Sequence, residues 1–274
     1  LRWIQLSSAG YTPLQLLPIL EQGIRVTYVL GIFDLPIAEW NVMMMLMWQR
    51  DMLTQLRNQT NATWDRAAEF QSDLFGRTIG FYGYGGIARA TARLAQALHL
   101  QVWAMTRDGT VKARERVYCV PGTGDPEGNL PDRVFAPEEL EEFLGGVDYL
   151  FVTLPLSPAT EGLLGERELQ MLKPSAVLIN PARAKIVDEQ ALAEGLHSGQ
   201  IGGAALDATE QEPLPEESPL WDAPNIWISP HVSAESVQDL MDYLPQNSPE
   251  DWVPWKTDSR WLCPDDDCGA PEEL

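Results

Sequence analysis

The chain alternates short apolar runs with segments whose apolar residues recur every third or fourth position. The runs are TIGFY (78–82), QVWAM (101–105), DYLFVT (148–153), AVLIN (176–180), GAALD (203–207) and IWIS (226–229). Most are continuous rather than alternating, the pattern of parallel strands covered on both faces. The segments between them carry helix punctuation. In PEELEEFLGG, Pro137 suits a first helical turn, acids follow it, and Gly145 suits the stop. In DEQALAEGLHSG, Asp188 suits an N-cap and Gly199 a terminator. Strand–helix alternation over this length predicts an α/β fold with a doubly wound parallel sheet of Rossmann type.

Two flanks differ from this centre. Residues 1–69 hold strand-like LRWIQL and IRVTYV and one long helical stretch from Ile37 to Asn58, whose VMMMLMW (42–48) reads as core filling. Beyond about Val237 periodicity fades. Pro245, Pro249, Pro254 and Pro264 appear with an Asp265-Asp266-Asp267 run, and from Glu235 onward eleven acids face two bases. The expected division is 1–69, 70–235 as a dinucleotide-binding domain, and 236–274 as a loosely packed acidic tail. The chain begins at Leu1 rather than Met, which reads as a fragment or as a gene model missing its start.

Composition narrows the classes. With 45% hydrophobic residues and 10 Trp in 274 residues, general disorder is excluded. A net charge of −21 argues against a nucleic-acid partner, which needs clustered Lys and Arg. No apolar run is long enough to span a bilayer. Cys119, Cys263 and Cys268 are too few and scattered for a disulfide framework, so a reducing, cytoplasmic setting is expected, with no metal site.

In open α/β sheets, ligands bind outside the carboxyl ends of the strands. Useful residues gather there: the Gly83 turn, Pro181-Ala182-Arg183, a loop with Glu210 and Glu212, and Pro230-His231. In Gly83-x-Gly85-x-x-Ala88, Gly83 permits a tight turn and Gly85 lets backbone approach a pyrophosphate. The helix from Gly86 then points free N–H groups at that anion. Alanine is an accepted variant at the third position. After the second strand stand Thr106 and Arg107 instead of an acid for the ribose hydroxyls, which tilts NAD(P) towards NADP. Of three histidines, His99 ends a helix and His197 lies near a helix C-terminus, so both read as structural or solvated. His231 shares its edge with Glu212 and Arg183.

The segments INPARAKIVDEQAL (179–192), GAALDATEQEPLP (203–215), ISPHVS (228–233), GYGGIARATARLAQAL and LPLSPATEGLLGERELQMLKPSAVLIN together resemble the D-isomer-specific 2-hydroxyacid dehydrogenases. The resemblance runs in unbroken order from about Leu1 to Ser233. It implies an NAD(P)-dependent oxidoreductase acting on small 2-hydroxy or 2-oxo acids such as glyoxylate or hydroxypyruvate. Carried over by position, the catalytic set is Arg183, Glu212 and His231. Contacts to the dinucleotide are Gly83, Gly85, Gly86, Ile87, Thr106, Arg107, Ser157, Pro181, Ala182 and Asp207. Ala9 and Gly10 resemble the loop whose amides hold the substrate carboxylate, with Arg183 as the side-chain contact. The resemblance also implies a homodimer and a flavodoxin-like substrate domain, incomplete here because its first strands precede LRWIQ and its closing helix is due near Ser236. The alternative is a dinucleotide-binding interaction module without turnover. Tyr-x-x-x-Lys and phosphate-loop Gly-Lys-Ser/Thr patterns are absent.

Overall fold

The computed structural model describes residues 3–6, 23–27, 30–66, 71–114 and 119–235. Ala9 and Gly10, the tail 236–274 and with it Cys263 and Cys268 lie outside the described residues. Strands β1 (Trp3–Gln5) and β2 (Arg25–Thr27) pair in parallel as a two-stranded sheet. Helices α1 (Asp34–Gln49) and α2 (Met52–Thr60) follow. The main domain then runs β3 (Thr78–Tyr82), α3 (Gly86–Ala97), β4 (Gln101–Met105), β5 (Arg133–Phe135), α4 (Leu140–Gly146) and β6 (Tyr149–Val152). It continues with α5 (Glu166–Leu169), β7 (Val177–Asn180), α6 (Glu189–Ser198), β8 (Gly203–Leu206) and β9 (Ile226–Ile228).

The seven strands from β3 onward form one sheet in the order β5-β4-β3-β6-β7-β8-β9, and every neighbouring pair is parallel. Chain direction across the sheet reverses beside β3, so the crevice between the ends of β3 and β6 is the topological switch point.

Period-two alternation explains why the strands are apolar throughout. Ile79, Phe81, Tyr149, Phe151, Val177 and Ile179 pack towards α1 and α3 with Met44, Met45, Ala88 and Ala92. Leu150, Val152, Leu178, Ala204 and Leu206 pack on the other face with Phe143, Leu169 and Leu192. Phe81 and Phe151 stack with ring centroids 5.2 Å apart, a contact that anchors the switch-point strands to each other. At Gly203 the indole of Trp48 stands where a Cβ would be, 1.6 Å from its ideal position, so α1 lies directly on β8.

Three local expectations need correction. The single helix expected over 37–58 is two, broken where Asp51 takes a left-handed backbone (φ 46°) and its side chain accepts from Thr54 N at 3.4 Å. Edge strand β5 was not expected, and Pro137–Glu139 is a 3-10 turn preceding α4. His99 sits beyond the end of α3, in a left-handed turn at φ 59°. The expected caps of α6 are present: Asp188 accepts from Ala191 N at 3.0 Å, and Gly199 closes the helix at φ 75°.

Candidate active site

Because all seven strands run the same way, the segments after β3, β4, β7, β8 and β9 open onto one edge. The turn after β3 comes first. Gly83 has φ 94°, and a Cβ there would fall 2.9 Å from Leu154 Cδ2 and 3.1 Å from the Thr153 carbonyl. Thr153 ties the two switch-point strands together, donating from Oγ1 to the Gly83 carbonyl at 2.6 Å. Gly85 differs. It caps α3 in an extended conformation, is exposed, and has nothing within 4 Å of a built Cβ. Space at that point, beside the free N–H groups of a helix start, is what an approaching pyrophosphate requires. A dinucleotide therefore fits the turn. Gly86, by contrast, backs onto α1: its Cβ position lies 1.9 Å from Asp34 Oδ2 and 2.7 Å from Arg114 Nη1. Burial pushes the Asp34 carboxyl up to about 6, against the opposing pull of Arg114.

The segment after β4 is pinned to α3 rather than crossing as a helix among the described residues. Arg89 donates from Nη2 to the Lys112 carbonyl at 2.7 Å, and Arg93 donates to the Gly124 carbonyl at 2.9 Å. Tyr84, between the two glycines of the turn, donates its hydroxyl to the buried Asp125 at 2.9 Å, and burial raises that phenol above its ordinary range. This lashing fixes the stretch carrying Thr106 and Arg107. Thr106 donates to the Thr110 carbonyl at 3.0 Å, and Arg107 is exposed at the rim. Ser157, after β6, lies in a turn closed by Thr160, whose Oγ1 accepts from Ser157 N at 2.8 Å.

The loops after β7, β8 and β9 hold the remaining residues. Asn180, buried at the end of β7, folds the next turn around itself. It accepts from Ala182 N at 3.0 Å and donates to the Arg183 carbonyl at 3.0 Å. Pro181 and Ala182 are buried by that turn, and Arg183 emerges half-buried. Burial pulls the Arg183 guanidinium below its ordinary value, and the Glu212 carboxylate partly restores it. Glu212 itself accepts from Thr209 N at 3.3 Å and from His231 Nδ1 at 2.9 Å (Oε1) and 3.0 Å (Oε2). His231 is thus oriented by a carboxylate with its other ring nitrogen free to work, an arrangement suited to proton transfer. Glu212 therefore links the other two, holding His231 by hydrogen bonds and acting on Arg183 through its charge, with the three residues drawn from three separate loops.

Asp207 is almost wholly enclosed, 1% exposed. Oδ1 accepts from Ser229 Oγ at 2.5 Å and Val232 N at 2.9 Å, and Oδ2 accepts from Ser233 N at 2.9 Å. Asn180 and Ser229 were not singled out from sequence. A polar residue ending an otherwise apolar strand was the available signal for Asn180. Among the described residues no cluster of three or more His, Cys, Asp or Glu is placed to hold a metal, and no helix is long and apolar enough to cross a membrane.

A sheet of this order binds nucleotides at its switch point, and a carboxylate-held histidine on the same edge adds acid–base chemistry. Together they suit a nucleotide-dependent dehydrogenase. The chain belongs to the D-isomer-specific 2-hydroxyacid dehydrogenase family: the profile described as "D-isomer specific 2-hydroxyacid dehydrogenase, NAD binding domain" matches residues 42–233. Similar proteins include a glyoxylate reductase of Thermofilum pendens, 29% identical over 87% of this chain and 67% of that protein. A glyoxylate/hydroxypyruvate reductase B of Pectobacterium carotovorum is 30% identical over 86% of this chain and 70% of its own. Among solved structures, an NADPH-dependent glyoxylate/hydroxypyruvate reductase of Sinorhizobium meliloti, in complex with NADP and sulfate, superposes with TM-score 0.71 at 26% identity. That match covers 90% of this chain and 74% of the other. The chain spans about two thirds of the length of the curated relatives named here.

Proposed function

We propose that this protein is an NAD(P)-dependent 2-hydroxyacid dehydrogenase that reduces small 2-oxo acids of the glyoxylate and hydroxypyruvate type. The observation that carries the reading is His231 Nδ1 held between the two oxygens of Glu212, on the sheet edge that also bears Arg183 and the Gly85 opening.

When bound, the reduced nicotinamide supplies a hydride to the carbonyl carbon of the acid. The chain's own residues do the rest. Gly83, Gly85, Gly86 and Ile87 offer the helix start to the pyrophosphate. Pro181, Ala182 and Ser157 border the cofactor cleft, and Thr106 with Arg107 serves its ribose end, where a guanidinium beside a small polar side chain suits a 2′-phosphate. Arg183 grips the substrate carboxylate and carbonyl oxygen, and its forked donors stabilise the negative charge that develops on that oxygen. Its partial burial strengthens both contacts by excluding water. Glu212 accepts Nδ1–H, so His231 presents the opposite nitrogen and delivers its proton to the same oxygen as the hydride arrives. Ala9 and Gly10 complete the carboxylate site through their amides in this reading, and the division at 69/70 and 235/236 belongs to it as well.

The finer expectations belong to the same proposal. A homodimer is carried by the resemblance to the family alone. A reducing, cytoplasmic setting is supported by the sparse cysteines.

The test is oxidation of NADPH and of NADH by the purified chain over a panel of 2-oxo acids. Turnover of glyoxylate or hydroxypyruvate, with NADPH preferred, is the expected result. Binding of a nucleotide with no turnover of any 2-oxo acid would instead support the interaction-module alternative.

A further inference from the structure

His231 carries a backbone that its residue type resists. Its φ is 58°, in the left-handed region that few residues other than glycine adopt. Its amide turns back to the Ser229 carbonyl at 3.0 Å, so the chain reverses within three residues. His231 and Glu212 are both substantially exposed, with side chains 45% and 44% accessible, and their contact alone does not compel such a path. Something beneath the loop has to.

That something is the carboxylate of Asp207. It lies directly after β8, one residue beyond Leu206, which accepts Ser229 N at 2.9 Å and so registers β8 against the start of the histidine loop. Asp207 N in turn donates to the Asn180 carbonyl at 3.1 Å, tying the same point to the arginine turn. The side chain then reaches under the loop and takes hydrogen bonds from residues 229, 232 and 233, two positions before the histidine and the two after it. A carboxylate accepts on both of its oxygens, so Oδ1 holds Ser229 and Val232 while Oδ2 holds Ser233, where an amide would turn an N–H group towards one of these donors. Being buried, these charge-assisted bonds are stronger than surface ones, and losing them leaves two backbone N–H groups without their partner.

We propose that Asp207 is a positioning residue for the proton donor: its carboxylate holds loop 229–233 in the strained path that delivers the His231 imidazole to Glu212. Ser229 is its partner in that task. The assignment rests on the dehydrogenase reading above, in which Asp207 had been expected among the cofactor contacts. It gives the residue a separate duty that makes different predictions.

The experiment compares wild type, Asp207→Asn and Ser229→Ala as full chains. Three readouts are taken: kcat and KM with glyoxylate, the dissociation constant for NADPH, and the ¹⁵N resonances of the His231 imidazole, which report donation from Nδ1. Asp207→Asn is expected to lower kcat by about 10- to 100-fold, the scale of one lost charge-assisted hydrogen bond. It should also abolish the Nδ1 donor signature while the NADPH dissociation constant moves less than about threefold. Ser229→Ala removes one donor and leaves the carboxylate, so it should shift the same readouts in the same direction by less. If Asp207→Asn does not fold, Ser229→Ala decides. An imidazole signature unchanged in the variants would overturn the proposal, and with it a raised NADPH dissociation constant would make Asp207 a cofactor contact. Should the wild type turn over no 2-oxo acid, the dehydrogenase reading fails separately, and the imidazole signature still decides whether Asp207 places the ring.

Discussion

His231 donates from Nδ1 to both oxygens of Glu212, at 2.9 and 3.0 Å, across 19 residues of sequence. The pair fixes which ring nitrogen faces the substrate and holds the ring in the orientation a proton donor needs. Glu212→Gln keeps an acceptor oxygen but removes the charge. It is expected to lower kcat by about 10²-fold or more, the usual scale for losing a positioned general acid, with NADPH affinity essentially unchanged. Steady-state kinetics with a separate binding titration check this.

Gly83 and Gly85 are separated by one residue yet answer to different constraints. Gly83→Ala meets a left-handed φ of 94° and a contact 2.9 Å away, so it should destabilise the domain by about 1–3 kcal/mol. Gly85→Ala meets nothing within 4 Å, and its loss of stability should stay below about 1 kcal/mol. Its methyl group would stand where the cofactor approaches, so nucleotide affinity should fall by about tenfold or more. Thermal unfolding paired with cofactor titration separates the two. Equal effects of both substitutions on stability would show that Gly85 is packed, not open.

Asp34 gives a pH dependence of unusual sign. Its carboxyl is raised from 3.8 to about 6 chiefly by burial, so the folded state favours the neutral form. Between those values the folded chain binds more protons than the unfolded one, and stability falls as pH rises through the window. The penalty is complete above about pH 6. Asp34→Asn is therefore expected to stabilise the protein at pH 7, by about 1–3 kcal/mol after allowance for partial exposure, and to have little effect near pH 4. Removing a negative charge beside the start of α3 should also tighten nucleotide binding. Melting temperatures from pH 4 to pH 8 give the test, and a stabilisation that grows towards acid would contradict it.

Cofactor choice should be movable at Thr106. An acid at the end of the second strand bonds the ribose hydroxyls of NAD and repels a 2′-phosphate. Thr106→Asp is expected to shift the NADPH to NADH ratio of kcat/KM by about tenfold or more towards NADH, one charged interaction's worth. An unchanged ratio would place the ribose end elsewhere.

Six strands of the main sheet were legible because each is a largely apolar run, with β3, β6, β7 and β8 buried along nearly their whole length and edge strand β9 half-buried. Strand β5 was not, because it has three residues, begins with Arg133 and follows Pro131-Asp132. Its arginine is covered from inside, lying 4.1 Å from the Phe135 ring centroid, a tertiary contact that no local pattern announces. The break between α1 and α2 was hidden because Asp51, a type that tolerates the left-handed backbone it adopts at φ 46°, stands inside a run of helix-forming residues. At the site, Arg183, Glu212 and His231 could be read from their places at strand ends. Asn180 and Ser229 could not, since their work is to shape loops around other residues. Asp207 was singled out from its place after a strand, but its three bonds to the histidine loop depend on distances across 22 to 26 residues of sequence.

The central claim is that this edge reduces 2-oxo acids with His231 as proton donor. The most direct measurement follows nicotinamide absorbance during glyoxylate reduction by wild type and His231→Ala, with NADPH binding titrated in both. The expected result is a loss of about 10²- to 10⁴-fold in kcat with NADPH binding intact. Turnover by His231→Ala at the wild-type rate would contradict the assignment.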